Sequence, residues 1–309
     1  MSKTALLFSG QGAQKVGMGK AFFDTSETSK RLFETADQLL GVPLSNCCFA
    51  GPESELTRTE NAQPAIYLTS WVAFTALRER LPQLEFHATA GLSLGEFTAL
   101  AAAGALSFEA GLRLVRARGR FMQEACEVTR GGMAAVIGLD ETATREACDT
   151  AGVTLANLNC PGQIVISGEL DRIPAAVEAV KAKGAKKAIP LAVAGAYHSP
   201  LMASAQPKLA AELAKTSIIQ PSVPVVANVT ASAYASALEI PETLVRQVTS
   251  PVRWEESIRH LLGQGFTQFI ELGPDASLAG FMKRIDKSAR VVSICDPASL
   301  ELAVQALGI

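Results

Sequence analysis

Apolar positions fall into two periods along this chain, short continuous runs of strand type and longer amphipathic stretches at helical spacing. Thr4–Ser9 predicts a first strand running into Gly10-Gln11-Gly12, and helical patterns follow over Ser29–Leu40 and Ala62–Arg80. Phe86–Ala90 reads as a strand and Phe97–Leu106 as a helix, with Gly91-Leu92-Ser93-Leu94-Gly95-Glu96 between them. A long helix is predicted from Phe108 to Glu127, stopped by Gly131-Gly132.

The pattern then changes character. Strands are predicted at Met133–Leu139, Val153–Asn157, Gln163–Ser167 and Lys187–Val193, and helices at Glu141–Ala151 and Leu170–Lys183. That β-α-β-β-α-β order is the ferredoxin-like unit. Pro200–Lys215, Trp254–Leu262 and Ala276–Asp286 return to helix, and Val223–Val229, Thr267–Leu272 and Val291–Ile294 to buried strand. The expected fold is α/β: a large domain with a parallel sheet over 1–128 and 198–309, and a small ferredoxin-like domain inserted at 129–197. A cleft between two such domains is a favoured place for a site.

Composition narrows the chemistry. Hydrophobic residues make up 48% and charged residues 19%, a globular balance, and the formal net charge of -2 gives no field for nucleic acid. Apolar stretches such as Thr98–Leu106 are too short to span a bilayer, and no leader pattern opens the chain, so a cytoplasmic setting is expected. Six cysteines show no paired spacing for zinc or redox work, and three histidines without a His-Glu-x-x-His pattern argue against a catalytic metal.

The stretch from Gly91 to Glu96 carries the strongest signal. A serine with glycines two residues away on both sides fits a tight strand-to-helix turn that projects the hydroxyl of Ser93. A capping serine in a plain turn is the alternative. Ser93 needs a base. His87 lies about 20 Å back along an extended strand, and His260, beside Arg259, falls on the polar side of a helix. His198, in Gly195-Ala196-Tyr197-His198-Ser199-Pro200, sits between a strand and a helix, on a loop closed by a Ser-Pro cap. Arg118 shares a helical stripe with Leu114, Phe121 and Ala125, whereas Arg113, Arg116, Arg120, Glu124 and Glu127 mark the exposed face. A guanidinium turned toward apolar surroundings must meet an anion, either an internal carboxylate such as Glu96 or a carboxylate on a substrate. Gly10-Gln11-Gly12 lies on the same sheet rim, where its backbone N–H groups and that of Leu94 could form an oxyanion hole.

With these pieces, the chain resembles the malonyl-CoA:acyl carrier protein transacylases, the acyltransferase family of bacterial fatty acid synthesis. The resemblance runs over essentially the whole length. It rests on Phe8 to Gln14, Thr59-Glu60-Asn61-Ala62-Gln63-Pro64-Ala65, the Gly91–Glu96 elbow, Arg116-Ala117-Arg118-Gly119, Asn157 to Gln163, Gly195 to Pro200, Gln247 to Trp254 and Glu271-Leu272-Gly273-Pro274. It implies an α/β-hydrolase-like large domain with the ferredoxin-like insertion. It also implies that Ser93 is acylated, that His198 is its base, and that Gln11 and Leu94 supply the oxyanion hole. Arg118 would hold the malonyl carboxylate, and the main chain of Gln247 would orient the histidine. Malonyl-CoA is then the donor, an acyl carrier protein the partner, and the phosphopantetheine thiol of that partner the acceptor. The protein would bring no cofactor of its own and would act as a monomer.

Two departures accompany the resemblance: Leu92 stands where histidine is usual, and Tyr197 where phenylalanine is. The Tyr197 ring is expected to crowd the acyl α-carbon and favour malonyl over methylmalonyl. An acidic carrier calls for a basic face, from Lys181, Lys183, Lys186 and Lys187 or from Lys283, Arg284, Lys287 and Arg290. A serine hydrolase and a noncatalytic docking subunit are the rival readings. Free malonate as the main product would mark the first, and a lack of acyl-enzyme the second.

Overall fold

The computed structural model describes residues 3–308. Its strands are β1 (Lys3–Phe8), β2 (Ala88–Gly91), β3 (Gly131–Ile137), β4 (Thr154–Cys160), β5 (Gln163–Glu169), β6 (Lys187–Pro190), β7 (Val225–Val226), β8 (Phe266–Leu272) and β9 (Arg290–Ile294). Five of them form a parallel sheet in the order β7-β2-β1-β8-β9. Helices cover both faces, which is why β1 reads as an unbroken apolar run rather than an alternating one. Leu6 and Phe8 pack with the helices Thr59–Arg80, Gly95–Ala102 and Phe108–Val128. Ala5 and Leu7 pack the other way, with Trp254, Ile258, Leu278 and Met282. Each fully buried Leu or Phe contributes roughly 1.5–3 kcal/mol to that sandwich.

The remaining four strands form a separate antiparallel sheet, β4-β5-β3-β6, the order a ferredoxin-like βαββαβ unit requires. Its helices Glu141–Ala151 and Ile173–Ala182 cover one face through Val136, Ile164, Ile166 and Val177. Met133 and Val165, one register position away, point to the opposite face and join the large apolar cluster. Two ties join the sheets. Val252 bridges the irregular edge of β4, donating its N–H to the Ala156 carbonyl and accepting from the Leu158 N–H, both at 2.9 Å. Arg284 reaches from the helix Ser277–Ile285 to the β4–β5 turn, where it donates to Gln163 Oε1 at 2.8 Å and to the Pro161 carbonyl at 2.9 Å.

Several expected elements shift. Gly131-Gly132 does not follow the long helix as a loop but opens β3, the helix having ended at Val128 with Thr129 as cap. Leu170–Lys183 divides into a 3-10 turn, Leu170–Arg172, and the helix Ile173–Ala182, whose Pro174 sits in its first turn. Pro200–Lys215 divides likewise, into Pro200–Met202 and Ala205–Leu213. Val223–Val229 contracts to the two residues of β7, because the chain turns back on itself beyond Val226: the Ala231 N–H donates to the Ala227 carbonyl, the Ala227 N–H to that of Ser232, and the Tyr234 N–H to that of Val225.

Arg116 corrects the face assignment of its helix. Pro64, inside Thr59–Arg80, has no N–H for the Glu60 carbonyl one turn back. Arg116 is half-buried, and its Nη1 donates to that carbonyl at 2.6 Å and to Asn61 Oδ1 at 2.7 Å. No helix among the described residues is long and apolar enough to cross a membrane.

Candidate active site

β2 ends at Gly91 and the next helix begins at Gly95, leaving three residues to reverse the chain. A Cβ on Gly91 would lie 1.9 Å from the Gly95 carbonyl oxygen, and one on Gly95 would lie 2.4 Å from that of Phe8. Neither position admits a side chain, so the turn is as tight as its sequence implied. Ser93 sits at its apex with φ 55, a left-handed conformation that costs an L-residue roughly 1–2 kcal/mol. Asn228 holds it there: its Oδ1 accepts from the Ser93 N–H at 2.6 Å and its Nδ2 donates to the Gly91 carbonyl at 2.8 Å.

His198 meets Ser93 from the segment after β6. It too is left-handed, with φ 57, on a loop tied by Ser199, whose hydroxyl donates to the Ala196 carbonyl at 2.6 Å. His198 Nε2 lies 2.8 Å from Ser93 Oγ, and Nδ1 lies 2.9 Å from the Gln247 carbonyl oxygen. A carbonyl only accepts, so Nδ1 carries the proton and the Nε2 lone pair faces the serine hydroxyl. Burial, and then the charge of Arg118, push His198 down to about 4, so the ring is neutral at physiological pH. Gln247 occupies the position at which a carboxylate stands in Ser-His-Asp sites. His87 is exposed, and its Nδ1 accepts from the Thr4 N–H; His260 pairs with Gln264. Neither is near Ser93.

Arg118 is 1% exposed. Its Nη1 donates to Gln63 Oε1 at 2.7 Å, and its Nη2 to Gln247 Oε1 at 2.9 Å and to Ser93 Oγ at 3.2 Å. Its Nε has no partner among the described residues. Of the two anions open to it, Glu96 is not in direct contact: the Gln247 side chain stands between, donating to Glu96 Oε2 at 2.6 Å. Glu96 is instead bound by the Tyr234 hydroxyl and by the Asn228 N–H at 3.1 Å. Burial raises Glu96 to about 7 against the pull of those donors. Nε and Nη2 form one edge of the guanidinium, the fork that grips a carboxylate with two parallel bonds. One tooth of that fork touches Ser93 Oγ and the other is unpaired.

A cleft of about 640 Å³ opens over Ser93. Gly10, Gln11, Leu92 and Tyr197 line it from the parallel-sheet side, and Met133, Asn159 and Val165 from the antiparallel sheet. The N–H groups of Gln11, in the loop after β1, and Leu94, at the start of the elbow helix, donate to no other protein group among the described residues. They remain available to an oxyanion. Leu92 is 9% exposed and packs into the apolar cluster of Trp254 and Leu278. Tyr197, beside the base, is anchored by a hydrogen bond with the Thr59 hydroxyl and raised to about 12 by burial.

Gln63, Asn228 and Tyr234 were not singled out in the sequence. Gln63 sits within the Thr59–Ala65 motif, and its burial on an apolar helix face was the available signal. Asn228 and Tyr234 lie in irregular chain after β7, where no periodicity marks an inward-facing polar residue.

The acyl transferase domain family matches residues 5–299. The malonyl CoA-acyl carrier protein transacylase of Bacillus subtilis is 46% identical over 99% of this chain and 98% of its own length. The enzyme of the same name from Salmonella typhimurium is 39% identical over 98% and 99%. Among solved structures, the transacylase of Clostridium perfringens superposes with a TM-score of 0.94 at 41% identity, covering 99% of this chain and 98% of its own. A malonyl-transacylase solved in complex with its type II polyketide acyl-carrier protein reaches 0.95 at 38% identity, covering 99% and 100%.

Proposed function

Because this chain belongs to the acyl transferase domain family, among the malonyl CoA-acyl carrier protein transacylases, we propose that it moves a malonyl group from malonyl-CoA to an acyl carrier protein through a malonyl-Ser93 ester. It is an acyl-carrier-protein S-malonyltransferase serving fatty acid synthesis, and in this reading it works as a monomer in the cytoplasm.

Transfer proceeds in two halves. His198 Nε2 takes the Ser93 proton as Oγ bonds to the thioester carbonyl carbon, and the resulting oxyanion faces the N–H groups of Gln11 and Leu94. The carbon–sulfur bond breaks, the imidazolium returns its proton to the departing thiolate, and coenzyme A leaves. In the second half the phosphopantetheine thiol of the carrier attacks the ester. Its proton passes to Nε2 and then to Ser93 Oγ as the carbon–oxygen bond breaks. The Gln247 carbonyl holds the ring throughout. Arg118 selects the acyl group: a malonyl carboxylate fills its Nε–Nη2 edge, whereas an acetyl group leaves a buried donor unpaired.

One observation carries this reading. Ser93 Oγ lies 2.8 Å from a neutral imidazole and 3.2 Å from a guanidinium that still has an unpaired donor. Intact-mass measurement after mixing with malonyl-CoA tests it. The wild type should gain one malonyl group and Ser93→Ala none; a labelled Ser93→Ala protein would refute the nucleophile. Arg118→Ala should lose kcat/KM for malonyl-CoA by about 100-fold more than for acetyl-CoA. Equal losses would make the arginine structural.

A further inference from the structure

Gln247 touches Ser93, Glu96, Arg118 and His198 at once. Its main-chain carbonyl accepts from His198, its Nε2 donates to the Ser93 carbonyl at 3.0 Å and to Glu96, and its Oε1 accepts from Arg118. A side-chain amide placed like this has two orientations differing by a half-turn, and only its neighbours decide between them. In one, the oxygen meets the guanidinium and the NH2 meets Glu96. In the other, NH2 opposes the N–H of Arg118 and oxygen opposes a carboxylate oxygen, so both contacts become repulsive.

The first restraint on that choice is Arg118, which can only donate, with the Ser93 carbonyl, which can only accept, beside it. The second restraint is Glu96, which is fully buried. Both its oxygens are committed as acceptors, to Tyr234 on one side and to Asn228 N–H and Gln247 Nε2 on the other. Above its raised value of about 7 the carboxylate is ionised and offers no donor, so the amide then has one allowed orientation. We propose that Glu96 is a positioning residue for acyl-group selection: it fixes the Gln247 amide with its oxygen toward Arg118 and so holds the Nε–Nη2 edge at Ser93.

This rests on the reading that Arg118 receives the malonyl carboxylate. Glu96 touches neither substrate nor the reacting atoms, and its effect passes through Gln247. Glu96→Gln keeps the shape and removes the acceptor-only character: its own NH2 can then face a flipped Gln247, and the guanidinium loses its fixed partner.

The test is the ratio of kcat/KM for malonyl-CoA to that for acetyl-CoA, measured at pH 8 for wild type, Glu96→Gln, Arg118→Ala and the double variant. The ratio should fall at least tenfold in Glu96→Gln, and adding Glu96→Gln to Arg118→Ala should lower it no further. A merely structural glutamate would depress both substrates alike and leave the ratio standing, which overturns the proposal. If Glu96→Gln does not fold, Gln247→Met, which keeps the main-chain acceptor for His198, carries the same expectation. An Arg118→Ala protein with an unchanged ratio would instead overturn the assignment of Arg118. A ratio that collapses in Arg118→Ala and stands in Glu96→Gln or Gln247→Met removes Glu96 alone.

Discussion

A general base must be unprotonated to act, and the surroundings of His198 keep its ring in the form its proposed role requires. Burial and the Arg118 charge both disfavour the imidazolium, and the pKa falls from 6.5 to about 4. The base form is therefore retained as pH drops through the range where an ordinary histidine protonates, and it is lost only as pH falls through the depressed value. With acetyl-CoA, which brings no second carboxylate, the pH dependence of kcat/KM should be flat from about pH 8 to about pH 5. An acid limb centred on the ordinary histidine value would place the base elsewhere or its surroundings in water. Ser93, His198 and Arg118 were legible because each breaks a local rule: a serine between obligatory glycines, a histidine on a capped loop, an arginine on an apolar stripe. The choice between the two anions for Arg118 was not legible. The answer lies with Gln247, a neutral residue 129 positions away in the chain, whose side chain separates the cation from Glu96.

At the level of elements, periodicity located most helices and strands and lost their ends, because the ends are decided by tertiary contacts. The two 3-10 turns at Leu170 and Pro200 continue an apolar pattern without continuing the helix. At Pro64 the helix persists, as the Ala62–Arg80 pattern has it, through a residue that ordinarily interrupts one. The compensation is specific: Arg116 donates to the carbonyl that Pro64 strands and to the Asn61 side chain. Arg116→Met should therefore lower the unfolding free energy by about 1–2 kcal/mol, seen as a lower urea midpoint at unchanged slope. Arg113→Met, on the exposed face of the same helix, should stay within about 0.5 kcal/mol of wild type. Equal midpoints for the two variants would mean that water serves the Glu60 carbonyl as well as Arg116 does.

The βαββαβ order was readable along the chain, but how the antiparallel sheet is fastened over Ser93 was not, since both fastenings join distant segments. The Val252 bridge links β4 to the segment just after Gln247, and Arg284 links the cleft-lining helix Ser277–Ile285 to the β4–β5 turn. This divides the basic residues offered for carrier docking. Lys181 and Lys183 are paired with Glu178 and Glu146, and Arg284 is spent on the turn. Lys283, Lys287 and Arg290 are exposed with no ion pair among the described residues. Two cations three positions apart thus have different work. Lys287→Glu should raise KM for an acidic carrier about threefold or more at low salt, converge with wild type as ionic strength rises, and leave acylation by malonyl-CoA alone. Arg284→Ala releases the turn that follows Asn159 in the cleft wall, so it should slow acylation by malonyl-CoA and transfer to the carrier together, with little dependence on salt. Should Arg284→Ala instead raise only the carrier KM, and salt erase the difference, its guanidinium docks the carrier and the turn is held by other contacts.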